Sequence, residues 1–253
     1  YDVTVAAFDR RGNNTASSPA VAGTPQDTVL DTLSPTLLQA GLKDTDSDGF
    51  IETVELTFSE DISALPSLLN ISGFYLDGLQ ARMATGPVGP NLTVTFGRGV
   101  KGTGIKQFTF DSTRGVIADL SGNRLASIVE AANIEVDMAR PILWRNTLLA
   151  HDDNRDGKPD RITVDFSEEM NPASIDAGDV QLVRDPAGTT LNVTGVRLLA
   201  NRITLEITLD GTRGIMGTPD LTLADDGDGI FFSDGTNPAI GVIANIAPVV
   251  NVL

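Results

Sequence analysis

The pattern of apolar and polar positions along this chain is that of short strands. Val54, Leu56 and Phe58 alternate with Thr53, Glu55 and Thr57, so one face of that stretch is buried and the other is wet. Ile162, Val164 and Phe166 repeat the alternation. The spacing predicts further strands at 37–42, 73–76, 80–84, 92–96, 105–110 and 133–136, and then at 142–149, 180–184, 191–198, 203–209 and 221–224. Gly and Pro punctuate the intervals, and only 64–70 suggests a turn of helix. Near the start, Tyr1, Val3, Val5 and Ala7 alternate with Asp2, Thr4 and Ala6, a turn follows at 9–13, and 14–21 could return as a second strand. The apolar, Pro-interrupted end at 245–253 reads as a final strand or the start of a linker. Many short strands with frequent turns predict an all-β fold of antiparallel sandwiches.

The alternating stretch belongs to a longer object that occurs twice. Residues 44–60 read Asp-Thr-Asp-Ser-Asp-Gly-Phe-Ile-Glu-Thr-Val-Glu-Leu-Thr-Phe-Ser-Glu, and 152–168 read Asp-Asp-Asn-Arg-Asp-Gly-Lys-Pro-Asp-Arg-Ile-Thr-Val-Asp-Phe-Ser-Glu. Asp44 and Asp152, Asp48 and Asp156, Phe58 and Phe166, and Glu60 and Glu168 are each 108 positions apart, with no gap. The register predicts tandem domains at 33–138 and 139–253, behind a strand pair and linker at 1–32. Two strands alone bury no core, so the opening predicts a piece of a longer chain.

The first half of each repeated object has the chemistry of a calcium loop. Calcium takes about six to eight hard oxygen ligands on a tightly curved chain. Acids at alternate positions turn inward together, and a glycine at position six permits the sharp bend. Asp44, Asp46 and Asp48 fit that pattern with Gly49, as do Asp152, Asn154 and Asp156 with Gly157. Position seven gives only its carbonyl, so Phe50 and Lys158 suit it equally. Position twelve, the bidentate glutamate of an EF-hand, would be Glu55, but the strand alternation has begun by then, and Thr163 stands there in the second copy. Position nine is acidic in both, so Glu52 and Asp160 are the expected closing ligands. A third cluster, Asp225, Asp226 and Asp228, has no counterpart in the first half and reads as a turn, with metal binding there left open.

Composition narrows the function. The 253 residues carry a net charge of −16, which argues against nucleic acid and anionic membrane as partners. There is no cysteine, so stability must come from core burial or metal rather than disulfides, and zinc held by Cys and His is excluded. No apolar run is long enough to span a membrane.

Three motifs carry a resemblance. The acidic Asp-x-Asp-x-Asp-Gly loop, the Phe-Ser-Glu strand end and the turn Asp119-Leu-Ser-Gly-Asn123 make the two halves resemble bacterial immunoglobulin-like surface repeats. In the second half the turn is reduced to Asp234-Gly-Thr-Asn237. The opening Tyr-x-Val-x-Val-Ala-Ala-x-Asp-x-x-Gly-Asn resembles the last strands of a bacterial fibronectin type III domain. These likenesses imply an extracellular or cell-surface structural segment of a surface layer, filament, stalk or adhesin. Its expected partners are calcium and neighbouring domains or identical subunits, the latter by strand addition. The alternative is a non-catalytic, carbohydrate-binding appendage of a secreted enzyme. No catalytic constellation is legible. His151, the sole histidine, has no nucleophile elbow to serve. Trp144 reads as a core or interdomain plug, and Glu60 and Glu168 as either interdomain braces or solvated strand ends.

Overall fold

The computed structural model describes residues 2–3, 21–22, 30–63, 71–129, 134–184, 189–212, 220–223, 242–243 and 249–251. The chain divides into two compact units, Tyr1–Leu33 and Ser34–Leu253. In the first, β1 (Asp2–Val3) pairs antiparallel with β2 (Val21–Ala22). The remainder of the expected opening hairpin, the turn at 64–70 and the cluster Asp225, Asp226 and Asp228 lie outside the described residues, as does Asp234–Asn237.

The second unit is all-β. Its strands are β3 (Leu37–Lys43), β4 (Phe50–Phe58), β5 (Phe74–Leu76), β6 (Leu79–Gln80), β7 (Met83–Val88), β8 (Asn91–Lys101), β9 (Phe108–Phe110) and β10 (Glu135–Asp137). They continue with β11 (Leu149–His151), β12 (Arg161–Asp165), β13 (Val180–Arg184), β14 (Thr189–Thr190), β15 (Val193–Leu198), β16 (Thr204–Leu209), β17 (Asp220–Leu223), β18 (Val242–Ile243) and β19 (Val249–Asn251). Among the described residues the helical content is two 3-10 turns, at Arg145–Thr147 and Pro172–Ser174, and the single helical residue Ile71, and no helix is long and apolar enough to cross a membrane.

One topology is used twice. A five-stranded sheet runs β10-β3-β4-β8-β7, and a second runs β19-β11-β12-β16-β15. Neighbours are antiparallel except at one edge of each, where β10 lies parallel to β3 and β19 parallel to β11. Of the smaller sheets, β6-β5-β9 corresponds to β14-β13-β17, beside which the second sheet adds β18. In the first repeat, the inward side chains Leu42, Val54 and Phe96 share a sandwich-like core with Phe74, Phe108 and Phe110 from the smaller sheet. In the second, Ile162, Val164 and Ile207 meet Val180, Leu221 and Leu223. The two cores are separate clusters of buried residues within the one compact unit Ser34–Leu253.

Two expected strands are corrected. The stretch 80–84 is not one strand, because the chain changes sheets inside it. Ala81 N donates to Phe74 O of the small sheet, and the next residue, Arg82, donates to Thr95 O of the large one. Nor is 142–149 one strand. Trp144 N bonds Asp165 O, and then a 3-10 turn closes as Thr147 N and Oγ1 both bond Trp144 O, so extended pairing resumes only at Leu149. The C-terminal 249–251 is a strand, the parallel edge β19.

Candidate metal centre

The two acidic loops link β3 to β4 and β11 to β12, and the same hydrogen bonds form the bend of each. Asp44 Oδ2 accepts from Gly49 N at 2.8 Å, and Asp152 Oδ2 accepts from Gly157 N at 2.8 Å. Asp48 N reaches Asp44 Oδ1 and Asp46 Oδ1, as Asp156 N reaches Asp152 Oδ1 and Asn154 Oδ1. Phe50 N donates to Asp48 Oδ1 and Lys158 N to Asp156 Oδ1, at 3.0 and 2.9 Å. Each chain passes through the left-handed region twice, at Ser47 (φ 59°) and Gly49 (φ 87°) and at Arg155 (φ 64°) and Gly157 (φ 84°). The glycine at position six is what lets the bend close without a Cβ penalty.

In the first loop one ligand oxygen each from Asp44, Asp46, Asp48 and Glu52 lies within 4.8 Å of the others. Asp46, Asp48 and Glu52 line a hollow of about 160 Å³ together with Phe50, Gly97 and Arg98. Burial pushes the Asp44 carboxyl above its ordinary pKa, with the Glu52 charge adding to the rise against three backbone hydrogen bonds. Glu52 closes the loop from position nine. Its Oε1 accepts from Thr45 N at 2.6 Å and from the Thr45 hydroxyl. Its Oε2 is buried and has no hydrogen-bond partner among the described residues. A buried carboxylate oxygen left bare is costly, and a hard cation among four carboxylates is the partner that would offset it. The donor set therefore fits calcium. Glu55, at position twelve, points elsewhere and pairs with Lys43 Nζ at 2.6 Å.

The second loop has the same frame and a weaker donor set. Asp160 Oδ2 accepts from Asp153 N at 2.7 Å and from Asn154 N at 3.1 Å, and its Oδ1 accepts from Asn154 Nδ2. Among the described residues its acids do not converge as those of the first loop do. Arg161 binds Asp153 and Glu206 beside it, at 2.8 and 3.4 Å. His151 Nε2 bonds Thr163 Oγ1 at 2.9 Å, and burial, then the Arg161 charge, lowers its pKa from the ordinary histidine value.

The first loop lies at the junction of the two repeats. Trp144 meets Phe50 edge to face at 5.7 Å, and Lys101 Nζ stands 5.0 Å from its ring. A Cβ on Gly49 would lie 2.5 Å from Trp144 Cη2. Beside it, Thr103 N donates to Ser167 O, and the buried Thr103 hydroxyl bonds Ser167 Oγ at 2.5 Å and Glu168 Oε1 at 2.8 Å. Trp144 thus plugs the junction and Glu168 braces it. Lys101, Thr103 and the hollow-lining Arg98 escaped the sequence reading, because they sit on β8 and just after it, some 50 residues from the loop. Only the glycines flanking Arg98 and Thr103 mark those places in the sequence. The turn 119–123 is closed on itself: Ser121 N and Asn123 N both reach Asp119 Oδ1, and Asn123 Nδ2 reaches Oδ2, each at 2.8 Å.

No protein-family model matches the chain, and neither a curated protein nor a solved structure matches it significantly.

Proposed function

We propose that this chain is a structural segment of a bacterial cell-surface or extracellular protein, built of two immunoglobulin-like β-sandwiches stiffened by calcium. Asp44, Asp46, Asp48 and Glu52 would hold one ion with the carbonyl of Phe50. Asp152, Asn154, Asp156 and Asp160 would hold a second with the carbonyl of Lys158. The reading is mechanical and contains no catalytic step. One observation carries it: the bare buried Oε2 of Glu52 belongs to a cluster of acids whose loop seats Trp144 of the next repeat. An ion there would fix the loop that fixes the junction. Strings of such units serve as surface layers, filaments, stalks or adhesins.

Calcium titration of the chelator-treated chain, by calorimetry and by the fluorescence of Trp144, tests this. Two ions are expected, the tighter one changing the fluorescence, because the first loop has one carboxylate more. At about a hundredfold excess over its dissociation constant, each ion adds roughly 2.7 kcal/mol. Glu52→Gln should abolish the tighter site. Identical melting of the metal-free chain in chelator and in calcium would sink the proposal.

A further inference from the structure

The junction between the repeats joins two unlike ends. The first repeat contributes its loop end, with Gly49, Phe50, Lys101 and Thr103. The second contributes its opposite end, with Trp144, Ser167 and Glu168. Each repeat owns both ends, so one of each stands outside the junction.

The counterpart of Gly49 is Gly157, in the same register, with the same left-handed backbone and the same hydrogen bonds. Gly49 is buried beneath Trp144, whereas Gly157 is exposed and a Cβ built on it meets no described atom within 4 Å. Lys158 replaces Phe50 at the next position of the loop. At the other end the counterpart of Trp144 is Leu38. Each stands three residues after a buried proline, Pro35 or Pro141. Each follows the same anchor: Thr36 N to Ser59 Oγ at 3.0 Å, and Ile142 N to Ser167 Oγ at 2.9 Å. Ser167 is buried and Ser59 exposed, and Leu38 is 59% exposed, a large apolar side chain in water.

We propose that the Leu38–Ser59 end of a second copy of this chain docks on the Gly157–Lys158 end of the first, repeating the internal junction between molecules. Such a contact is head-to-tail, so it leaves a free knob and a free seat and grows into open strings rather than closed dimers. The inference rests on the tandem-repeat part of the proposed function and not on calcium. It is therefore tested both in calcium and in chelator, and loss of calcium binding alone leaves it standing.

Sedimentation velocity of the full chain up to millimolar concentration is the measurement. About 0.15 M salt screens the repulsion between chains of net charge −16. The wild-type chain is expected to associate reversibly into a concentration-dependent series, and Leu38→Trp to tighten it about tenfold. Leu38→Asp and Gly157→Val should each be monomeric alone. An equimolar mixture of the two should form dimers and stop there, since one retains the seat and the other the knob. Leu38→Asp changes an exposed side chain, so its fold, checked by circular dichroism, is expected to be intact. Monomeric wild-type and Leu38→Trp chains at every concentration would overturn the proposal. So would a mixture that stays monomeric, or a Leu38→Asp chain that associates like the wild type.

Discussion

Gly49 and Gly157 form a natural pair for isolating the energy of the junction. Their backbone angles differ by only a few degrees, at φ 87° and 84°, and the same hydrogen bonds close their loops. Alanine at either position places a Cβ in the left-handed region, a strain of about 1–2 kcal/mol. At Gly157 nothing described lies within 4 Å of that Cβ, so strain is the whole effect. At Gly49 the Cβ would sit 2.5–2.9 Å from three atoms of the Trp144 ring, so the ring must move. Moving it forfeits the edge-to-face contact with Phe50, worth about 0.5–1.5 kcal/mol, and the Lys101 contact, worth about 0.5–1 kcal/mol at an accessible site. Gly49→Ala is therefore expected to cost about 1–2.5 kcal/mol more than Gly157→Ala. Urea unfolding followed by fluorescence reads this directly, since Trp144 is the sole tryptophan and sits in the junction. In a Trp144→Ala background, followed by circular dichroism, the two substitutions should cost the same. Equal costs in the presence of Trp144 would refute the reasoning, because the three atoms nearest the added Cβ all belong to that ring.

Two further outcomes follow from the same geometry. Glu168→Ala removes the acceptor of the buried Thr103 hydroxyl and should destabilise by about 1–3 kcal/mol, measured by urea unfolding, with Trp144 emission shifting as the junction loosens. Asp119 supplies the acid dependence of the 119–123 turn. Its burial opposes ionisation, but the bonds from Asn123, Ser121 and Gly122 outweigh that and hold its pKa below the ordinary value. A lowered carboxyl stabilises the fold above its unfolded value near ~3.9 and ceases to as pH falls through the folded value. Acid unfolding of Asp119→Asn should accordingly lose part of its pH dependence below about pH 4 while the neutral-pH slope is unchanged.

The large features were legible because one physical cause dominated each of them. Val54, Leu56 and Phe58 alternate because one face of β4 is in the core and the other in water, and nothing else competes there. The acidic loops were legible because their alternating acids and glycine satisfy the loop's own backbone donors, a purely local arrangement. Where long-range contacts decided, the sequence was ambiguous. Residues 80–84 look like one strand, yet Ala81 and Arg82 bond different sheets. Residues 142–149 look like one strand because Ile142, Leu143, Leu148 and Leu149 bracket it, yet Trp144 packs on Phe50 of the preceding repeat and a 3-10 turn at the polar Arg145–Thr147 interrupts the pairing. The register of Glu60 with Glu168 was visible, but only the fold shows that Thr103, 65 residues before Glu168, makes it a brace.

The difference between the two loops has a physical logic. Both close on the same backbone hydrogen bonds, so neither needs a cation merely to form its turn. What differs is the surplus of negative charge. The second loop substitutes Asn154 for an acid, ties Asp160 to three donors from Asp153 and Asn154, and has Arg161 bound to the flanking Asp153. The first retains four convergent carboxylates, one with a bare buried oxygen, and places them where Phe50 and Lys101 grip the next repeat. Charge that is neutralised internally contributes to stability without a ligand. Charge left uncompensated at a junction makes the geometry of that junction depend on what binds there. The unequal donor sets thus weight the two copies differently: an ion at the second loop would meet fewer free carboxylates, and one at the first would also bear on the residues that touch the next repeat.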